Sequence, residues 1–463
     1  MKHAIQQGSL LDMPALERKE AKPSHPVTEK KMNRLEELIA ELCPNGVEYR
    51  TLGDCAEYVR GVVYNKSAEI NDNSEGYKIL RANNISLNTN TLNFDDVKVI
   101  SKSVKVSPRQ MLSKDDILIC AGSGSKEHIG KVAYIESDMD YTFGGFMGVV
   151  RCNKLIHSKY LFHMLTGCLF KQHLEKTLNS STINNLNSSV MNSFKIPVPP
   201  LPVQEEIVRI LDNFAELTAE LTAELSKRKQ QYQYYRDNII DFSENRADKS
   251  KRLEELITDL CPNGVEYKEL GDVTCLIKNG FTYEVDKTTT KKYKVSRIET
   301  ISGGVINMEK VATVNIADEK YRLADGDILF SHINSLPYLG NIAFYEEKYG
   351  ELYHGMNLLC FRFVKDIVLP KFAFYIFRTS LFRKYIDKYA KHSCNQYSLS
   401  ISTIKKWKIP VPPLPIQKEI VAILDRFDTL CNDLTSGLPA EIEARKKQYE
   451  YYRDKLLTFK EAV

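Results

Sequence analysis

The chain has 463 residues, of which 43% are hydrophobic and 27% are charged, and its formal net charge is +4. That composition is ordinary for a soluble globular protein, and the length leaves room for about two to four domains. The near balance of basic and acidic residues does not demand a nucleic-acid partner, although a basic face could coexist with acidic helices.

No segment has the pattern of a targeting or membrane sequence. The first residues lack the apolar core of a signal peptide, and no apolar run is long enough to cross a bilayer. The ten cysteines are scattered and form no C-x-x-C pair, which argues against a zinc site or a disulfide framework. We therefore expect a cytoplasmic protein with reduced thiols and no membrane contact.

The chain begins with a polar extension and a short helix. Residues 1–31 have no periodic apolar pattern, and we expect them to be disordered. In "RLEELIAEL" (34–42), leucine and isoleucine recur at helical spacing, and the following Cys-Pro-Asn-Gly predicts the end of the helix.

Three blocks of sequence occur twice in the same order, so the chain is internally duplicated. The intervening segments 56–193 and 274–406, which we call the first head and the second head, show no such likeness. A duplicated frame with two different inserts is expected of a protein that recognises two different ligands or sites. The blocks are "RLEELIAELCPNGVEYRTLGD" (34–54) and "RLEELITDLCPNGVEYKELGD" (252–272), "FKIPVPPLPVQEEIVRILDNF" (194–214) and "WKIPVPPLPIQKEIVAILDRF" (407–427), and "RKQQYQYYRDNIIDF" (228–242) and "RKKQYEYYRDKLLTF" (445–459).

The two heads share a pattern of elements. "DDILICAG" and "DGDILFSH" are apolar runs typical of strands, and "KVAYIE" and "NIAFYE" follow them at matching distances. "HSKYLFHMLTGCLFKQHLEKTL" and "LPKFAFYIFRTSLFRKYIDKYA" predict amphipathic helices in corresponding places. Each head should therefore be a mixed α+β domain with its own surface residues.

The segments between the heads predict long helices. The prolines of 195–202 favour an extended or polyproline II strip, and Gln204 to Lys251 contains neither glycine nor proline. A helix of about 40 residues could be a core helix of a large domain, but its length and its second copy favour an antiparallel helix pair between two heads. Gly437 and Pro439 should interrupt the second copy.

These patterns predict an α+β protein with a pseudo-twofold repeat, in which long antiparallel coiled-coil helices separate two mixed α/β domains. The expected boundaries, after the extension, are 32–203 for the first domain, 204–250 for a central helix, 251–416 for the second domain and 417–463 for the distal helices.

Catalytic motifs are missing from the sequence. The Pro-Pro pairs stand in "VPPLP", without the Asn/Asp/Ser and aromatic neighbours that an amino-methyltransferase tetrad needs. "GSGSKEHIGKV" has five residues between Gly124 and Gly130 where a phosphate loop has four, and Val132 stands where that loop has Ser or Thr. We predict a non-catalytic chain that holds no cofactor or metal.

Recognition chemistry is better represented, in polar loops at corresponding places of the heads. Arg and Lys suit guanine acceptors or phosphates, and Asn and Gln suit adenine in the major groove. The candidate DNA-binding residues of the first head are Arg81, Asn83, Asn84, Lys126, His128, Lys131, Asn184 and Asn185. Those of the second head are Arg297, His332, Asn334, Asn357, Asn395 and Gln396. Polar loops always contain such residues. Their clustering at corresponding loops therefore supports a DNA-recognition surface in each head, but it does not identify which single residues contact bases.

The repeated frame resembles the specificity subunit of type I restriction–modification systems. The resemblance is carried by two different heads, each followed by I-P-x-P-P, "QxEIVxILDxF" and "R-K-x-Q-Y-x-Y-Y-R-D", over residues 34–463. It implies that each head reads one half of a bipartite double-stranded DNA target. It also implies two docked methyltransferase subunits and added restriction subunits, which would bind S-adenosylmethionine, ATP and magnesium and methylate adenine N6 themselves.

Two other functions remain open at this point. The chain could serve a stand-alone methyltransferase without a restriction partner, or it could be a coiled-coil adaptor that binds proteins and no DNA. Sequence-dependent retardation of DNA in a gel at moderate salt would separate the reader from the adaptor.

Overall fold

The computed structural model describes residues 26–70, 76–86, 89–123, 128–178, 185–242, 249–282, 292–315, 317–393, 396–432 and 437–462. The described residues divide into two compact units, of which one contains those from Pro26 to Thr222 together with those from Glu441, and the other contains those within Ala223–Ala440. Each unit therefore combines one head with helices from both copies of the repeat. Among the helices formed by the described residues, none has the length and apolarity required to span a bilayer.

The first helix begins earlier than the sequence pattern predicts. It spans Pro26–Leu42, so residues 26–31 are helical and the prediction that all of 1–31 is disordered is wrong for them. Residues 1–25 lie outside the described part of the chain. Leu35 on this helix is almost completely buried in the core of the first head.

Two four-stranded sheets form the first head. One is antiparallel, with the strand order Ala56–Arg60, Met147–Cys152, Ile117–Cys120 and Val132–Tyr134. The other has the order Glu69–Ile70, Lys98–Ser101, Gly76–Leu80 and Tyr141–Phe143. The helices described in this head are Ser158–Thr166, Cys168–Leu178 and Ser188–Asn192, and the short helix Leu52–Cys55 directly precedes it.

The second head repeats the first sheet of the first head. Its strand order is Thr274–Asn279, Leu358–Phe363, Ile328–Ser331 and Ile342–Phe344. Smaller sheets join Ala312–Val314, Tyr293–Ser296 and Tyr353–His354; Ile301–Ser302 and Val305–Ile306; and Ile333–Asn334, Gln396–Ser398 and Lys391–Ser393. The helices described in this head are Pro370–Phe377, Ser380–Tyr389 and Ile401–Lys405, and the helices Lys251–Leu260 and Leu270–Val273 precede it. The predicted strands and their matching positions in the heads are confirmed.

One buried ion pair recurs inside both heads. Arg151 contacts Asp116 at 2.8 Å, and Arg362 contacts Asp327 at 2.7 Å. Each carboxylate also accepts a backbone N–H from the turn before its own strand. A buried carboxylate without its ion-pair partner would destabilise the folded protein. The pair therefore fixes the start of strand Ile117–Cys120 in the first head and of strand Ile328–Ser331 in the second.

The proline strip is shorter than predicted and is not free-standing. Lys195–Pro197 pairs with Tyr49–Thr51, and Lys408–Pro410 pairs with Tyr267–Glu269. The central helix then starts at Leu201, because proline is tolerated in the first turn of a helix.

The long helices agree with the sequence pattern. The central helix spans Leu201–Ile240, which is 40 residues, and the distal segment is interrupted as predicted, with helices Leu414–Asn432 and Leu438–Leu456. Phe214 stacks on Tyr452 at 5.3 Å in one unit, and Tyr235 lies 5.7 Å from Phe427 in the other. Within each unit, part of the central helix thus packs against a distal helix.

Candidate nucleic-acid interface

A glycine turn lies at the meeting point of several loops in the first head. Gly144 donates its N–H to the carbonyl of Leu80 at 2.9 Å, beside the loop that begins with Arg81. The carbonyl of Phe146 accepts the N–H groups of Ala121 at 2.8 Å and Gly122 at 3.0 Å. The turn 144–146 therefore joins the Arg81 loop to the loop that follows strand Ile117–Cys120.

Arg60 adds a fourth loop to this meeting point. Its guanidinium donates to the carbonyl of Gly145 at 2.8 Å and to the side-chain oxygen of Asn185 at 3.1 Å. A β-bridge also pairs Asn185 with Gly122. We call these four segments, 81–86, 121–123, 144–146 and 185–187, the first reading surface.

The second head brings the equivalent loops together. Gly355 donates its N–H to the carbonyl of Ser296 at 2.9 Å, next to Arg297, and His332 donates its N–H to the carbonyl of Asn357 at 3.3 Å. Strand Ile333–Asn334 pairs with Gln396–Ser398. The second reading surface consists of 297–302, 332–335, 355–357 and 396–398. The described parts of the candidate loops chosen from the sequence are thus neighbours within each head.

Arg81 and Arg297 occupy the same position on the two surfaces. Each precedes a short 3₁₀ turn, and in each the Nε atom is buried without a hydrogen-bond partner among the described residues. Arg81 pairs with Asp96 at 2.7 Å and Arg297 pairs with Glu299 at 2.5 Å. Hydrogen bonds from Lys98 and the charge of Arg81 lower the pKa of Asp96. Both guanidinium groups are half-exposed and can exchange a carboxylate for an acceptor on a ligand.

Two predicted contact residues do not present their side chains to a ligand. Asn84 is completely buried, and its amide donates to the carbonyls of Asn93 at 3.1 Å and Asp96 at 3.3 Å. His332 is also buried, and its Nδ1 lies 3.1 Å from the carbonyl oxygen of Asn357. Burial lowers the pKa of His332, which favours the neutral ring. Both side chains bond to backbone carbonyls within the protein. We therefore correct their assignment: Asn84 and His332 stabilise loop conformations and are not expected to contact bases.

The remaining candidates differ in how freely they face solvent. Lys131 is half-buried, donates to the carbonyl of Ile85 at 2.8 Å, and has its pKa lowered by burial. The amide of Asn334 is shared between Ser331 and Ser335. The other described candidates are exposed or half-buried, namely Asn83, His128, Asn185, Asn357 and Gln396. Lys126, Asn184 and Asn395 lie outside the described residues.

Sequence reasoning missed the apolar side chains of these surfaces. Val63 is 86% exposed and Phe146 is 72% exposed, and a Cβ added to Gly145 would lie 2.9 Å from Val63 Cγ2. Met356 of the second head is 49% exposed. They were missed because only polar residues were considered. The signal that could have found them is the glycine turn that both heads place before a central strand.

Comparisons with known proteins agree with the duplicated frame. The profile of the type I restriction modification DNA specificity domain matches twice, at residues 44–228 and 262–444, and each match contains one head. The chain is 26% identical over 410 residues to the type I restriction enzyme EcoKI specificity subunit of Escherichia coli K12, covering 85% of this chain and 86% of the relative. It is 32% identical over 282 residues to the EcoR124I/EcoR124II specificity subunit of Escherichia coli, covering 57% and 63%.

A solved structure supports the fold. It comes from a study of complex assembly and conformational transition of the type I R-M system, and it matches with a TM-score of 0.57 and 15% identity over 89% of this chain and 98% of that chain. At this identity the likeness concerns the fold.

Proposed function

This chain belongs to the type I restriction–modification DNA specificity family, and we propose that it is the DNA-recognition subunit of such a complex. The observation that carries the proposal is the pair of reading surfaces, which share the arrangement of four loops and differ in most of the side chains that these loops carry. A bipartite DNA target needs one reader for each half, and a duplicated frame with two different heads supplies them.

The chemistry of the surfaces suits base edges and phosphates. Arg81 and Arg297 offer forked donors of the kind that bind guanine or phosphate, while Asn83, Asn185 and Gln396 offer amides of the kind that bind adenine. Base pairs would compete with the carboxylates of Asp96 and Glu299 for the two arginines. Each head would then read its own half-site with its own side chains.

Catalysis belongs to the partners in this proposal. Two methyltransferase subunits would dock on the repeated helices, and restriction subunits would join that core. S-adenosylmethionine, ATP and magnesium would be bound by those partners, and adenine N6 would be their methylated atom. The same reading surfaces could serve a stand-alone methyltransferase, and genes for a methyltransferase and a restriction subunit beside this one would decide between the two systems.

The test is methylation in the presence and absence of the partner. The purified chain, a methyltransferase encoded beside it, and both together are incubated with S-adenosylmethionine and genomic DNA, and methylated adenines are mapped by sequencing. Only the mixture should methylate, at a bipartite sequence. Methyl transfer by the isolated chain, or the same pattern from the methyltransferase alone, would overturn the proposal.

A further inference from the structure

Two exposed apolar residues lie on the first reading surface or next to it. Phe146 is 72% exposed and Val63 is 86% exposed, and a Cβ added to Gly145, the residue before Phe146, would lie 2.9 Å from Val63 Cγ2. A single exposed apolar side chain is common on a protein surface, but two exposed apolar residues on adjacent backbone segments, one of them a large aromatic residue next to a cluster of donor loops, indicate a contact with a ligand.

The backbone that carries Phe146 is held firmly. Its carbonyl accepts two backbone N–H groups, from Ala121 and Gly122, and the N–H of Met147 donates to the carbonyl of Gly144 at 2.7 Å. The guanidinium of Arg60 binds the carbonyl of Gly145. A ring on so constrained a turn loses little backbone freedom when it meets a ligand, which makes it suited to a specific contact.

The second head has different chemistry at the same place. The bridges Val62–Gly144 and Phe281–Gly355 align the two turns, so that Asn357 occupies the position of Phe146. Asn357 is half-buried, and its backbone adopts a φ of +70°. The frame therefore offers a variable position at this point, filled by an aromatic ring in one head and an amide in the other.

We propose that Phe146, on the turn next to Val63, is a specificity-determining residue that contacts the 5-methyl group of a thymine in the half-site of the first head. The inference rests on the proposed function. Thymine alone among the DNA bases presents a methyl group in the major groove, and aromatic and small apolar side chains are its usual partners. The polar neighbours of Phe146, including Arg81 and Asn185, suit the same groove.

The test removes the methyl group and the ring separately. The half-site of the first head is the one that changes when residues 56–193 are exchanged. In duplexes carrying that half-site, each thymine is replaced by uracil in turn, and binding by the full chain with its methyltransferase is measured. One replacement should weaken binding by about fourfold, since burying one methyl group is worth about 0.8 kcal/mol. The same replacement should cost nothing further in Phe146→Ala.

A matched control uses the second head. Met356→Ala removes an exposed apolar side chain from the equivalent turn, and it should leave the uracil effect in the first half-site unchanged. Thermal melting of both variants should match the wild-type chain, because both side chains are exposed.

Three binding results would overturn the inference. They are a first half-site without thymine, a wild-type complex that binds every uracil duplex equally well, and a Phe146→Ala complex that keeps the uracil effect. Increased fluorescence of 2-aminopurine beside a contacted step would instead indicate that the ring enters the base stack, which also contradicts a groove contact. A wild-type complex without any sequence-specific binding would contradict the proposed function instead.

Discussion

His163 and Tyr375 stand at the same position of the two heads, on helices Ser158–Thr166 and Pro370–Phe377. His163 is buried, with Nε2 at 2.9 Å from Asp212 and Nδ1 at 2.9 Å from the hydroxyl of Tyr449. Tyr375 donates its hydroxyl to Asp425. A neutral imidazole satisfies both neighbours of His163, because Nε2–H donates to the carboxylate and Nδ1 accepts from the tyrosine.

This geometry predicts a pH effect at His163 that the equivalent Tyr375 of the second head does not have. Burial lowers the pKa of His163, against the opposing effect of Asp212, whereas the unfolded value is about 6.5. The unfolded state therefore binds more protons below that pH, and the free energy of unfolding should fall as the pH decreases through about 6.5, by at most about 1.4 kcal/mol per pH unit. His163→Tyr, which copies the second head, should remove this contribution.

The measurement is the melting temperature of the full chain between pH 7.5 and pH 5.5. Tyr375→Phe is the matched control, because it loses a hydroxyl on the equivalent helix but no group that titrates in this range. Its pH dependence should equal that of the wild-type chain. An unchanged pH dependence in His163→Tyr would contradict the prediction.

Residue type alone predicts which loops carry polar side chains, and it does not predict how all of those side chains are oriented. Arg81 and Arg297 could be found because a long charged side chain at a loop start is rarely buried. Asn84 and His332 were misassigned because residue type does not tell which way a side chain points. Phe146 was missed for the opposite reason, since its exposure depends on a turn whose hydrogen bonds come from distant segments.

At the scale of elements, local signals were reliable and distant pairings were not. The central helix could be predicted from the absence of glycine and proline, and its interrupted copy from Gly437 and Pro439. The hairpin Lys391–Ser393 with Gln396–Ser398 was not predicted, because short polar strands depend on partners such as Ile333–Asn334 far away in the chain.

The central helix contains a four-residue unit that occurs twice in succession. Thr-Ala-Glu-Leu occurs at 218–221 and again at 222–225, and none of the residues 215–225 is buried. Thr222 donates its hydroxyl to the carbonyl of Thr218 at 2.7 Å, within an unbroken helix. Added units would thus extend the helix without disturbing a core.

A third Thr-Ala-Glu-Leu unit after Leu225 should lengthen the DNA spacer between the half-sites by one or two base pairs. Four residues add about 6 Å and rotate the remainder of the helix by only about 40°, and one base-pair step is about 3.4 Å. Mapping methylated adenines with the longer variant measures the spacer. Thr222→Ala keeps the length and should keep the spacer, whereas an unchanged spacer in an active longer variant would exclude this role.

At the scale of the whole molecule, each head packs against helices that come from both copies of the repeat. The core of the first-head unit includes Leu211 of the central helix and Leu456 of the distal helix, and the second-head core includes Ile239 and Leu424. The repeated blocks predicted the shared frame. They could not predict that the first head packs against the block 445–459 and the second head against the block 228–242, because both of these blocks carry the same apolar pattern.

Exchange of residues 56–193 for the first head of another family member should change only one half-site of the target. The reading surface of the first head is built entirely from this segment.

The frame contacts the first head at His163, through Asp212 and Tyr449. A donor head that keeps histidine at position 163 should therefore pack normally against the frame. A donor head with an aliphatic residue there should give a chain that melts at a lower temperature, because Asp212 loses a hydrogen-bond donor. The reciprocal exchange of 274–406 is the control and should change the other half-site. Methylated-adenine maps in which a single exchange altered both halves would show that the heads do not read DNA independently.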